Sequence, residues 1–320
     1  MIKRDERLER PDAALIAALE QSRLHPLWDR YKRITPVAPC AKDAPMHWRW
    51  RDIEPLAARA AREVAIEDVE RRALILVNPA FGGETVTTQN LIGAFTVLEP
   101  GDKAVPHRHS AAAIRFSTRA EGAVTIVNGQ RCEMKEGDLV LTPPMCWHGH
   151  INQGERRTVW FDAANMPLIC SLDASFFEPG SRADERFWEV GDAGAAEYRF
   201  PGEQMRRELE AAPVGADGAK SARYMKNGGP VMPTLDLFRV QVSKKTRPRR
   251  ASCNAICLVV SGEGRSVVGE SSFEWSRHDV FTVPHWTWAS HEARGGSADL
   301  FVVTDRAIYE RLELLREELQ

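Results

Sequence analysis

Three histidines place the strongest constraint on this chain: His107 and His109 within Pro106-His107-Arg108-His109, and His148 within Trp147-His148-Gly149-His150. Successive side chains of an extended strand point to opposite faces, so residues two apart share a face. His107 and His109 then present two imidazoles to one point, while Arg108 faces away. The intervening sequence predicts the return path. Ile114-Arg115-Phe116 and Ala123-Val124-Thr125-Ile126-Val127 read as strands, and Asn128-Gly129 as a tight hairpin turn. Leu139-Val140-Leu141 is a further strand, running into Pro143-Pro144. A handful of short antiparallel strands thus returns His148 to the first pair, which places a metal site inside a small β-barrel. Imidazole suits zinc, iron, copper and nickel, and three such ligands leave coordination positions open.

The histidines sit in a longer pattern. Gly101 precedes His107, and Gly137, Pro143, His148 and Asn152 follow in order. These residues resemble the two halves of the cupin signature. Many cupins add a glutamate four or five positions after the second histidine; here Ala113 and Ile114 stand there. The expected ligand set is three neutral histidines and no carboxylate. A divalent ion so held keeps its full charge and favours an anionic, bidentate ligand, with room left for O2 or water. A benzoate with an ortho hydroxyl meets that demand.

A length of 320 residues allows one large domain or two ordinary ones, and 43% hydrophobic with 28% charged residues is a globular composition. A net charge of −2 argues against nucleic acid as the main partner. The basic run Lys244-Lys245-Thr246-Arg247-Pro248-Arg249-Arg250 reads as a solvated strand edge or a subunit contact. No apolar run is long enough for a membrane span, and the N-terminal residues contain no signal-peptide core, so a cytoplasmic location is expected. The six cysteines are scattered, as reduced thiols would be.

In chain order, residues 11–33 read as helical, Ile53 to Ala65 as a second helix, and Arg72 to Val77 and Leu91 to Leu98 as strands. Thr158 to Asp162 is another strand, Gly202–Ala211 a helix, Leu235 to Val242 a strand, and Ala307–Glu318 a closing amphipathic helix. The second half repeats the first. Aligning Arg249 with His107 brings Glu263-Gly264 onto Glu121-Gly122. After one deleted residue, Asp279 falls on Asp138, Trp288 on Trp147 and His291 on His150. In this copy the ligand positions read Arg249, Ala251 and Ala289. The expected fold is mainly β: a bicupin of two double-stranded β-helix (jelly-roll) barrels with a few flanking helices. Residues 1–180 form an N-terminal arm and the metal-binding barrel, 181–228 a connector, and 229–320 a degenerate, metal-free barrel with a C-terminal helix.

A two-barrel chain with one three-histidine site resembles the gentisate 1,2-dioxygenase family, which includes salicylate and 1-hydroxy-2-naphthoate dioxygenases. The likeness runs through Pro26-Leu27-Trp28, His47-Trp48-Arg49-Trp50, Arg71-Arg72-Ala73-Leu74 and Asn78-Pro79. It continues through His107-Arg108-His109, Thr142-Pro143-Pro144, Trp147-His148 and Val159-Trp160-Phe161-Asp162. The resemblance implies one Fe(II) per subunit in the N-terminal barrel, on His107, His109 and His148. It also implies a small aromatic acid and O2 as reactants, with ring opening between the carbons bearing carboxylate and hydroxyl. A homotetramer is expected on the same ground. Carried over by position, Arg115 meets the substrate carboxylate, and Arg71 or Arg72 adds positive charge. His150 and Asp162 fit a general acid/base and a group that orients it. Ile92 and Thr96 stand where the family usually has an aromatic residue and a glutamine; Met145 and Gly149 stand where it has a tryptophan and an acid. These departures weaken the case for a 5-hydroxyl on the ring and favour a 5-nitro-, 5-halo- or 5-aminosalicylate beside gentisate. The rival readings are a non-catalytic cupin that binds an aromatic acid, and a three-histidine dioxygenase for a diketone or thiol.

Overall fold

The computed structural model describes residues 13–188, 190 and 197–320. The chain up to Cys40 is one unit and Ala41–Gln320 another. In the first, the helical stretch expected over 11–33 is two helices, Ala13–Gln21 and Leu27–Ile34. Arg23 at φ 59° and Pro26 at the second helix's N-cap divide them, because proline lacks an N–H and restricts the residue before it.

The larger unit is mainly β and carries two antiparallel barrels. One wall of the first is a six-stranded sheet ordered Arg199–Phe200, Leu139–Thr142, Ala113–Arg119, Thr158–Ala164, Ile92–Leu98, Arg72–Ile75. The other wall is ordered Phe177–Pro179, His107–His109, His148–Asn152, Ala123–Val127, Gln130–Glu133. A nine-stranded sheet forms the second barrel, with the long strands Ala255–Val268 and Ala289–Thr304 at its centre. Its edge takes His47–Trp48, paired with Val280 and Phe281. Within 181–228, Arg199–Phe200 pairs into the first barrel and Lys220–Arg223 into the second.

The six-stranded sheet is buried on both faces, which explains why its strands read as near-continuous apolar runs rather than clean alternations. Ile114, Phe116, Phe161 and Phe95 share one core with Ile256, Leu258 and Phe301 of the second barrel. Phe116 stacks on Phe301 with ring centroids 4.2 Å apart. Burying each such side chain contributes about 1.5–3 kcal/mol. The period of two then sends the intervening residues the other way, into the first barrel. Thr96, Arg115 and Asp162 are among the polar members of that inward set.

The repeat is visible in the register. His107 pairs with His148 as Arg249 pairs with Ala289, and Phe177–Pro179 flanks the first pair as Glu317–Leu319 flanks the second. Met145 and Trp286 share a left-handed turn, at φ 61° and 54°. This last strand corrects the expected closing helix over Ala307–Glu318. The helix covers only Arg306–Arg311, Glu313 turns at φ 58°, and Glu317–Leu319 pairs with Arg249–Ala251. Leu312 and Leu314 are exposed, so the leucine spacing buries no stripe, and strand pairing satisfies the backbone instead.

Gly149 has a packing reason for lacking a side chain. A Cβ there would lie 2.8 Å from the Phe187 ring and 3.0 Å from that of Trp188. Gly149→Ala is expected to cost about 1–3 kcal/mol through overpacking, read as a lower denaturant midpoint with metal content retained. A midpoint equal to the parent's would show that Phe187 yields freely.

Candidate metal centre

His107, His109 and His148 are all buried, and their candidate ligand atoms lie within 4.8 Å of one another. Strand periodicity sets the first two on one face, and the His107–His148 register brings the third across. Each ring is held through Nδ1 by a backbone carbonyl: Val105 O at 2.9 Å, Ala111 O at 2.9 Å and Cys146 O at 3.0 Å. A carbonyl oxygen only accepts, so Nδ1 carries the proton and Nε2 presents its lone pair. Fixing the tautomer from behind in this way is how metal-ligating histidines are oriented. His148 Nε2 is buried without a hydrogen-bond partner. An unmet buried acceptor costs roughly 1–3 kcal/mol, which a bound cation would offset.

Charge points the same way. Burial, then the Arg71 charge, pushes the His107 pKa down to about 3; burial, then Arg115, pushes His109 down to about 4. His148 and His150 are held well below the ordinary value, chiefly by burial. All four are therefore neutral near pH 7, the form that ligates a metal. This donor set fits a metal ion.

A cavity of about 210 Å³ adjoins the histidines. Arg115 reaches it from the six-stranded sheet with its guanidinium almost wholly buried. Arg115 Nη1 donates to Thr142 Oγ1, and Nε lies 3.4 Å from Asp162 Oδ1, directly across the strand register. Burial lowers the Arg115 pKa to about 10, with the Asp162 charge opposing, so the group stays cationic at neutral pH.

Arg71 lines the cavity, whereas Arg72 turns away to Asp102 and the Val64 carbonyl. Ile92 also lines it. Thr96 does not; its hydroxyl donates to Asp162 Oδ2 from beneath. The expected contact between His150 and Asp162 is not made. Thr125 Oγ1 holds His150 Nδ1 at 2.9 Å, and Asp162 accepts instead from Thr96 and from Trp160 Nε1 at 3.0 Å. His150 and Asp162 meet only through Trp160, whose ring centroid is 5.3 Å from that of His150. His150 Nε2 is buried and unpartnered, beside His148.

Among the cavity residues not legible beforehand, two touch His107. Glu70 Oε1 lies 3.1 Å from His107 Nδ1, and Phe177 packs on the His107 ring at 5.5 Å. Glu70 beside Arg71 was the available signal, an acid next to a candidate site arginine. Phe177 carried none, because its strand pairs with His107–His109 only in three dimensions.

Residues 94–164 match the family model of the cupin domain. Over most of its length the chain is similar to the 5-aminosalicylate 1,2-dioxygenase of a Comamonas species. Identity is 33%, covering 95% of this chain and 89% of that one. It is 31% identical to gentisate 1,2-dioxygenase 1 of Aquipseudomonas alcaligenes, over 93% of this chain and 94% of that protein. Among solved structures, salicylate 1,2-dioxygenase of Pseudoaminobacter salicylatoxidans with gentisate superposes with a TM-score of 0.87. That likeness has 28% identity and covers 100% of this chain and 96% of the other.

Proposed function

The chain belongs to the family of gentisate and salicylate 1,2-dioxygenases, which are ring-cleaving dioxygenases, and from that premise we propose its substrate and the division of labour in its site. The substrate is a 2-hydroxybenzoate, either gentisate or a salicylate substituted at position 5. The ring opens between the carboxyl-bearing and hydroxyl-bearing carbons, with O2 as the second reactant. Fe(II) is held by His107, His109 and His148 in the barrel of residues 1–180; 181–228 is the connector, and the barrel of 229–320 carries no metal. The working form is a cytoplasmic homotetramer. No helix among the described residues is long and apolar enough to cross a membrane.

The observation that carries this reading is the convergence of one ring nitrogen from each of three histidines beside a buried, cationic Arg115. The iron supplies Lewis acidity towards a chelating hydroxybenzoate and a redox partner for O2. Every other task falls to side chains. Arg115, with Arg71 nearby, attracts and orients the carboxylate through a planar fork that lysine lacks. Asp162 holds the Arg115 charge in place and lines the cavity beside it. His150 holds or moves a proton at Nε2, the atom that Thr125 leaves free by engaging Nδ1.

The cavity's uncharged lining, histidines apart, is apolar: Ile75, Ile92, Phe177, Met166 and alanines. Among the described residues no neutral hydroxyl or amide lines it to reward a 5-hydroxyl on the ring, so discrimination among 5-substituents rests on fit and on the charges of Glu70 and Arg71.

The test is O2 uptake by anaerobically Fe(II)-loaded protein. The panel is gentisate, salicylate, 5-aminosalicylate, 5-nitrosalicylate, 5-chlorosalicylate and 1-hydroxy-2-naphthoate. Stoichiometric uptake with a monocyclic member is expected. Bound iron with no uptake for any of them would defeat the reading. Thr125→Val keeps the shape but removes the hydroxyl on His150. It is expected to lower kcat by about 10-fold or more with iron content and KM unchanged. An unaltered kcat would leave His150 without a role at Nε2.

A further inference from the structure

The second barrel repeats the geometry of the first around a different lining. Arg249 stands where His107 does, in register with Ala289 as His107 is with His148. Ser266 Oγ lies 2.7 Å from His291 Nδ1, matching the 2.9 Å between Thr125 Oγ1 and His150 Nδ1. Two of the three ligand positions have become alanine, Ala251 and Ala289. The space so freed has not been filled. A cavity of about 360 Å³ remains, larger than the 210 Å³ beside the three histidines. Protein interiors are normally packed to the density of organic crystals, so a barrel kept only for assembly would close such a volume with larger side chains.

The lining is divided by chemistry. Phe238, Cys257, Leu300 and Val302 join the two alanines as apolar wall, while Arg249 and Arg306 stand with Asp217 and Glu317; Arg223 and Arg250, also on the wall, pair with Asp236 and Glu318. Glu317 is shared: its Oε1 lies 2.6 Å from Arg249 Nη2 and 2.7 Å from Arg306 Nη1. Arg249 also lies 3.5 Å from Asp217 Oδ2, and Arg306 Nε donates to Glu310 Oε1 at 3.0 Å. A guanidinium offers five N–H donors, so with these partners counted each arginine still has donors over. Among the described residues the His291 ring is tied through Nδ1 only, so Nε2 is its free polar atom on the cavity.

We propose that the interior of the second barrel is a metal-free binding site for a small carboxylic acid with an apolar, ring-sized body. The body lies against the apolar wall, and the carboxylate takes the unused donors of Arg249 and Arg306. A concave, mostly apolar pocket with a few convergent polar groups is the usual form of a small-molecule site. Planar guanidinium groups match a carboxylate's two oxygens. The site is separate from the ring-cleaving one and does not depend on the assignment made there.

The test is equilibrium dialysis of the iron-loaded full chain with labelled benzoate, which lacks the chelating 2-hydroxyl. Ala289→Phe, which fills the cavity, is expected to remove one bound equivalent per chain. Arg249→Gln, at a half-exposed position, is expected to weaken that equivalent by about 10-fold or more. Melting temperature and metal content report whether each variant is folded; if Ala289→Phe is not, Arg249→Gln carries the comparison. A crystal grown with 4-iodobenzoate should show the iodine's anomalous signal inside the second barrel. Equal stoichiometry and affinity in parent and variants, or no iodine there, overturns the proposal.

Discussion

Replacing His148 by alanine is expected to drop bound iron below about one-tenth of an equivalent and turnover by roughly 10³-fold or more, since metal polarisation is worth several kcal/mol of transition-state stabilisation. The reasoning is geometric. His107 and His109 share a strand, and His148 alone joins them from the neighbouring strand. With no carboxylate at Ala113 or Ile114, no other metal-ligating group completes the cluster for the remaining pair among the described residues. Two neutral nitrogens do not hold an open, facial site. The substitution leaves the Cys146 carbonyl short of one donor, a smaller loss than that of the metal. Metal analysis and O2 uptake on the same sample should therefore fall together. Full iron with lost turnover would mean that His148 serves the substrate rather than the metal, and retained turnover would remove the three-histidine assignment.

The parts legible in the sequence were those governed by local periodicity. The spacing of His107 and His109 is a strand rule, Asn128-Gly129 a turn rule, and the Gly202–Ala211 helix follows from composition. The repeat was legible too, because Arg249 and Ala289 occupy register positions equivalent to those of His107 and His148. What the sequence hid was pairing at a distance. Nothing local indicates that His47–Trp48 adds to the second barrel, or that Phe177–Pro179 lies against the histidine strand. The closing helix failed for the same reason: leucine spacing suggested a stripe, but the chain end had a strand partner at Arg249–Ala251. In the site, the family resemblance assigned Asp162 a role beside His150, yet its partner depended on cross-strand register. That register sets Asp162 opposite Arg115 and leaves His150 to Thr125.

Because Arg115 and Asp162 are a cross-strand pair, removing the arginine should have two separable effects. Arg115→Met keeps much of the side chain's volume but strands the Asp162 carboxylate between Thr96 and Trp160, with no cation in contact among the described residues. Breaking one side of a buried pair typically costs 3–5 kcal/mol, so a fall of about that size in unfolding free energy is expected. Substrate binding should weaken as well. Charge-assisted hydrogen bonds contribute about 1.5–3 kcal/mol each, which puts the rise in KM at about 10-fold to 100-fold. The double variant Arg115→Met with Asp162→Leu separates the two. Replacing both partners by apolar groups should return stability to within about 1–2 kcal/mol of the parent, since a buried ion pair adds little net stability over a hydrophobic one. KM should stay high, because the cation that meets the carboxylate is still missing. If KM recovered along with stability, Arg115 would be holding the barrel together and some other group, with Arg71 the nearest candidate on the cavity wall, would be receiving the substrate.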